Sequence, residues 1–290
     1  MAQFRWLWAG TILLIANSAF ASGRVQCGEL RSQYVPGNVG FCALLPPSYD
    51  SNPQNRFPVL YFLHGIGGDQ AFLVTSGAWT LVEEAQEQKR LGEFVIITPA
   101  ARNSFYINSR DGRVRYEDFL IRDFIPHMER SFRISSQRGG RAIGGVSMGG
   151  YGALRFAFKY PRMFSSVAAL MPALMETLPH GISNMSLASF IGPAFGTPLD
   201  EAFWRANTPF VFARTAELSG LKIYFATGDQ DEYGFDSGTR RLDQLLTARH
   251  VPHTTHIYPG GHSGQFVSEH VEEALQFVWQ AFRHGAASAQ

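Results

Sequence analysis

The chain has 290 residues, a formal net charge of +1 and only 17% charged side chains. With no basic block, that balance argues against nucleic acid or an anionic surface as its main partner. Hydrophobic residues make up 45%, and at this length one large core can be buried.

The first 21 residues read as an export signal. Arg5 supplies a positive start, Trp6 to Ala16 a short apolar core, and Ala19-Phe20-Ala21 a small-x-small cleavage site. The apolar core falls short of the about 20 residues that span a bilayer. A periplasmic or secreted protein is expected, with residues 22–290 as a single domain. Both cysteines, Cys27 and Cys42, lie in that part. In an oxidising compartment they favour a disulfide, the alternative being two buried thiols.

Val25 to Tyr34 and Val39 to Leu45 are strand-like runs around Pro36-Gly37-Asn38, a hairpin signal. Phe57 to Leu63 is a continuous apolar run, as a strand covered on both faces requires, and it empties into His64-Gly65-Ile66-Gly67-Gly68. A helix is predicted over Trp79 to Arg90 and a buried strand over Phe94 to Thr98. Tyr116 to Phe132 carries a helical stripe (Phe119, Leu120, Phe124, Ile125, Met128) that Pro126 should kink.

Ala142 to Val146 is the next buried strand and Tyr151 to Tyr160 the next helix, ended by Pro161. Strands follow at Phe164 to Leu170, Leu221 to Thr227 and Thr254 to Tyr258, with helices at Asp236 to Arg249 and Ser263 to Arg283. Between Met171 and Gly220 the alternation stops, and only helical scraps such as Asp200 to Arg205 are visible. A cap-like insertion across the substrate mouth is expected there. Strands alternating with helices after an opening hairpin predict an α/β fold: a mostly parallel sheet with helices on both faces and an antiparallel N-terminal hairpin.

Between the strand ending at Val146 and the helix after it sits Gly145-Val146-Ser147-Met148-Gly149, a G-x-S-x-G. A serine on so sharp a strand-to-helix corner leaves no room for side chains two residues either side, and its hydroxyl stands above the sheet edge. A serine hydroxyl is a poor nucleophile without a base, and the base needs a partner to fix its tautomer. His262, in the loop after the last strand, is the best placed of nine histidines. His64 also follows a strand, but beside the glycines of another loop. His253 and His256, three apart on a strand, face opposite sides and make a poor metal pair. For the acid, Gly228-Asp229-Gln230-Asp231-Glu232 follows a strand, and position alone does not separate Asp229 from Asp231. An oxyanion would be held by the Met148 N–H and by an N–H of the 64–68 loop. No lysine or dinucleotide fingerprint accompanies that loop, so no metal or organic cofactor is expected.

At this point the chain resembles the putative esterase branch of the α/β-hydrolases: esterase D and S-formylglutathione hydrolases, feruloyl and acetyl-xylan esterases, and antigen 85-type mycolyltransferases. The resemblance runs from about Leu44 to the C-terminus. It is carried by Leu44-Leu45-Pro46-Pro47-Ser48-Tyr49-Asp50, the His64-Gly65 loop, Ser104-Phe105-Tyr106-Ile107-Asn108, Tyr116-Glu117-Asp118-Phe119-Leu120, the segment Gly145 to Leu154, and Gly260-Gly261-His262-Ser263. It implies an α/β-hydrolase fold, Asp231 in Gly-x-x-Asp as the acid, and Ile66 as the second oxyanion donor. Many members place an aromatic after His-Ser, where this chain has Gly264.

The expected function is therefore an exported serine carboxylesterase acting on a small-molecule, polysaccharide or lipid ester, with transient membrane or envelope association possible for it. Phe105, Tyr106 and Tyr151 are candidate pocket residues. Acyl transfer to an alcohol, as in the mycolyltransferases, and a non-catalytic ligand-binding protein on the same scaffold are the alternatives.

Overall fold

The structure is a computed structural model, and it describes residues 23–178 and 185–287. The expected signal segment, residues 1–21, lies outside them. The strands are β1 (Arg24–Arg31), β2 (Asn38–Leu45), β3 (Val59–Leu63), β4 (Val95–Pro99), β5 (Arg141–Val146), β6 (Ser166–Leu170), β7 (Lys222–Gly228) and β8 (Thr254–Tyr258). They form one sheet in the order β1-β2-β4-β3-β5-β6-β7-β8. β1 and β2 run antiparallel to each other and β2 antiparallel to β4, while every pairing from β4 to β8 is parallel.

The apolar runs at β3, β4 and β5 are buried at every position because both faces are covered. Side chains alternate between two cores. Val59, Tyr61 and Leu63 of β3 point into one, Leu60 and Phe62 into the other. The second core is closed by α2 (Ala78–Glu87) and α10 (Gly264–Ala287), which bring Trp79, Val82, Phe266, Val271 and Val278. The first is closed by α5 (Met148–Lys159), α9 (Phe235–Ala248) and the segment 116–131. The short α1 (Phe72–Thr75) precedes α2.

Pro126 acts earlier than expected. α3 (Tyr116–Asp118) widens into a π-helical turn over Phe119–Phe124 before α4 (Ile125–Ser131). The Ile125 N–H donates to the carbonyl of Leu120, five residues back. A proline has no N–H and its ring crowds the carbonyl four residues behind it, so the chain is loosened just ahead of Pro126. Between 171 and 220 there is more helix than the sequence suggested: α6 (Met185–Phe195), α7 (Glu201–Asn207) and α8 (Pro209–Thr215). Asp200 caps α7, its carboxylate accepting from the Phe203 N–H at 2.8 Å.

α3 and the C-terminal half of α5 are joined by buried charge. Glu117 receives Arg155 Nη2 at 2.7 Å, Lys159 Nζ at 2.5 Å and the Tyr160 hydroxyl. Arg155 also donates to the Asn207 carbonyl (2.9 Å) and side-chain oxygen (2.8 Å), and the Tyr151 hydroxyl donates to the same carbonyl at 2.8 Å. Thus α5 is tied to α3 on one side and to the end of α7 on the other. Burial pushes the Glu117 carboxyl up, but Arg155, Lys159 and Tyr160 outweigh it and hold it below its ordinary 4.5. A depressed carboxylate contributes stability above its unfolded value and loses it as pH falls through the folded one. Glu117→Gln should therefore flatten the acid limb of the stability–pH curve below about pH 4.5, and Arg155→Met should cost about 3–5 kcal/mol in urea unfolding, because Glu117 loses its closest guanidinium.

Cys27 and Cys42 face each other across β1 and β2 and are disulfide-bonded. β1 is a largely exposed edge strand. With the half-cystines 15 positions apart, a Cys27→Ser, Cys42→Ser double variant should lose about 3 kcal/mol, read as a lower urea midpoint.

Candidate active site

β5 ends at Val146 and α5 begins at Met148, leaving Ser147 alone to reverse the chain. It does so at φ 53° and ψ −119°, a region that costs a non-glycine residue on the order of 1–3 kcal/mol. Backbone hydrogen bonds hold it there. The Ser147 N–H donates to Leu170 O at 3.0 Å, and its carbonyl accepts from Tyr151 N and Ala173 N, each at 3.0 Å. The reversal presses the start of α5 against the end of β3. A Cβ on Gly149 would lie 1.9 Å from the Leu63 carbonyl oxygen, inside any allowed contact.

β7 and β8 deliver the other two groups to the same sheet edge. His262 Nε2 stands 2.9 Å from Ser147 Oγ, and His262 Nδ1 stands 2.8 Å from Asp231 Oδ2. A carboxylate only accepts, so Nδ1 carries the proton and Nε2 is left to accept from the serine hydroxyl. The Asp231 side chain is wholly shielded from solvent, and its Oδ1 accepts from the Tyr233 N–H at 3.0 Å. Asp229, the alternative that position left open, points elsewhere. Its carboxylate accepts from Gly260 N at 3.1 Å and so fixes the histidine loop rather than the imidazole.

The loop after β3 reaches the serine from the other side. A Cβ on Gly65 would sit 3.3 Å from Ser147 Cβ. Gly68 N–H donates to Gly65 O at 3.1 Å, which makes 65–68 a tight turn with Gly67 at φ 77°. The Ile66 N–H, at the second position of that turn, makes no backbone hydrogen bond among the described residues. Met148 opens α5, so its N–H has no carbonyl within the helix to bond.

His64 holds this loop. It is buried, and burial lowers its pKa, so the ring is neutral. Nδ1–H donates to Gly65 O at 2.7 Å, and Nε2 accepts from Ala101 N–H at 2.9 Å. His253 and His256 lie away from the serine, beside Asp243 and Glu273.

Phe105, Tyr106 and Tyr151 do not line a substrate surface as expected. All three are buried. Phe105 packs edge-on to Tyr151, Phe195 and Trp204; the Tyr106 hydroxyl is committed to the His64 carbonyl at 2.9 Å and that of Tyr151 to Asn207. The side chains that do border the triad went unnoticed in the sequence. Tyr233 is 62% exposed with its ring 5.1 Å from the imidazole, and Phe235 flanks the imidazole at 5.3 Å. Glu232 accepts from the His262 N–H at 2.7 Å, and that bond lowers its pKa. Their only signal was adjacency to Asp231. A cleft of about 510 Å³ opens beside Tyr233, walled by Leu174, Met175, Gly238 and Arg241. At Gly264, where many members have an aromatic, an added Cβ would meet nothing within 4 Å.

A family profile described as Putative esterase matches residues 32–275. The chain belongs to that family. It is 32% identical over 263 residues to an acetyl esterase of Caldicellulosiruptor saccharolyticus, covering 85% of this chain and 95% of the relative. It is 29% identical over 255 residues to an esterase of Mycobacterium tuberculosis (strain H37Rv), covering 81% of this chain but 54% of that protein; the chain spans about half its length. Among solved structures, a ferulic acid esterase superposes with a TM-score of 0.77 at 23% identity, over 90% of this chain and 99% of that one. The fold is that of the α/β-hydrolase esterases.

Within this family member, Gly149→Ala should be among the costliest single changes, about 4 kcal/mol or more in thermal or urea unfolding. Gly264→Ala, with open space around it, should stay within about 0.5 kcal/mol of the parent.

Proposed function

We propose that the chain is a serine carboxylesterase working through an acyl-Ser147 intermediate. The observation that carries this reading is the unbroken hydrogen-bonded chain Ser147 Oγ–His262–Asp231, at 2.9 and 2.8 Å, on a left-handed serine. His262 Nε2 takes the hydroxyl proton as Oγ attacks the ester carbonyl, and Asp231 stabilises the imidazolium that forms. The negative oxygen of the tetrahedral intermediate is held by the Met148 and Ile66 N–H groups, each such donor being worth about 2.7–4 kcal/mol. His262 returns the proton to the departing alcohol. A water then attacks the acyl-enzyme with the same base, and the acid leaves as Ser147 regains its proton.

The substrate is an ester admitted through the cleft beside Tyr233, where an exposed ring and the Arg241 wall offer both stacking and polar contact. Export to an oxidising compartment fits the Cys27–Cys42 disulfide and the pattern of residues 1–21. Protein recovered from its host should then begin after Ala21.

The purified protein should hydrolyse p-nitrophenyl esters across a ladder of acyl lengths. Ser147→Ala should abolish turnover, and Asp231→Asn should lower kcat about 10⁴-fold by replacing an acceptor-only carboxylate with an uncharged amide that can donate and so favours the wrong tautomer. Asp229→Asn should change kcat far less, since it touches only the Gly260 N–H. Equal losses in the two aspartate variants would reject the assignment of Asp231.

A further inference from the structure

A second cavity lies on the same sheet edge, two strands from Ser147, at the C-terminal end of β4. It holds about 230 Å³ and is walled by Val39 of β2, Ala101 and Ile107 after β4, and Pro193 of α6. That is the share of roughly seven or eight waters, enough for one aromatic ring with a short arm. None of Ser147, Ile66, Asp231 or His262 lines it. Its nearest link to the triad is indirect, through the Ala101 N–H on His64 and His64 on Gly65.

Most polar groups in the lining are already engaged. The Ser109 hydroxyl donates to Asp111 and accepts from the Val114 N–H, and the Tyr116 hydroxyl donates to Ala100 O. The Asn38 amide donates to Glu29. Two are not. The Arg102 guanidinium and the Asn103 amide border the cavity, and neither has a side-chain hydrogen bond or ion pair among the described residues. Arg102 is also exposed and held at φ 47°, and Phe105 and Tyr106 at φ 50° and 58° make three left-handed residues within five positions. Such backbone costs energy at each position and is kept only where the surroundings fix it. Arg31, Arg130, Arg162 and Arg283 also have no carboxylate or carbonyl partner among the described residues; Arg102 differs in bordering, with the Asn103 amide, a largely apolar hollow that no Asp or Glu lines.

We infer that this cavity is a binding site for a small apolar carboxylate, its hydrocarbon body between Val39, Ala101, Ile107 and Pro193 and its carboxylate on Arg102 and Asn103. A guanidinium and a carboxylate match in charge and in planar, two-point geometry. Resting on the esterase reading, this is the class of compound that hydrolysis at Ser147 releases, so the site would sense or retain product; binding itself does not depend on that reading.

The test is calorimetric titration of the full chain with 3-phenylpropanoate, against its neutral amide, 3-phenylpropanamide. One site is expected, weakened roughly tenfold or more in Arg102→Gln, as loss of a charged hydrogen bond entails. The amide should bind the parent no better than the variant, and kcat/KM for a p-nitrophenyl ester should be the same in both. Because Arg102 is exposed, Arg102→Gln should fold normally, and its thermal midpoint checks this. No binding, or equal binding of the acid to parent and variant, would overturn the assignment. So would competition with the ester at an inhibition constant equal to the dissociation constant in both proteins, which would put the acid in the triad cleft. If the protein hydrolysed no ester at all, the esterase reading would fail while the titration still reported on this cavity.

Discussion

Ser147 is held where a side chain does not choose to be, and the packing around it follows from that. A reversal within one residue brings α5 against the last carbonyl of β3, so only a residue without a Cβ fits at 149. The same contact places the loop after β3 beside the serine, because β3 and β5 are neighbours in register, Leu63 opposite Gly145. Ser147, the start of α5 and the 65–68 turn are therefore packed as one unit. Its strain is offset by three backbone hydrogen bonds and by the buried ties of α5 through Arg155 and Tyr151.

The imidazole and carboxylate arrive on separate loops, and these are laced before they meet the serine. Asp229 and Gln230 bond the backbone of Gly260, and Glu232 bonds the His262 N–H. The acidic run after β7 thus divides its labour: one carboxylate orients the ring and two fix the loop that carries it. His64 has the matching role in the loop after β3, where its neutral ring spans Gly65 and Ala101. The His262 loop and the 65–68 turn are thus each braced by polar neighbours, as the proposed preorganised site requires.

Much of the strand pattern was legible because a sheet covered on both faces demands unbroken apolar runs, and β3, β4 and β5 have them. Ser147 and His262 were legible because each follows a strand with the glycines its turn needs. Other features depend on which way a side chain leaves the backbone. Asp229 and Asp231 are both acidic, both follow β7, and only their directions differ; family resemblance favoured Asp231, and it is the Asp231 carboxylate that lies 2.8 Å from the His262 ring. Phe105, Tyr106 and Tyr151 looked like pocket residues because aromatics near a serine can serve either purpose, but buried carbonyls claim both hydroxyls. Tyr233 gave no periodic signal, being one exposed ring in a loop. The helices between 171 and 220 were obscured by Pro193 and by small and aromatic residues of modest helix propensity. Their stability comes from Phe195, Trp204 and Phe210 entering the first core.

The central claim is that Ser147 becomes covalently acylated, and it is tested most directly by trapping that intermediate. The protein would be mixed with an activated p-nitrophenyl ester, quenched in acid during turnover, digested and mapped by mass spectrometry. The expected result is the acyl group on the peptide containing Ser147, accumulating to a larger fraction when Asp231 is asparagine if deacylation is the slower step. Turnover with no acyl adduct on that peptide, together with an adduct on another side chain, would contradict the account.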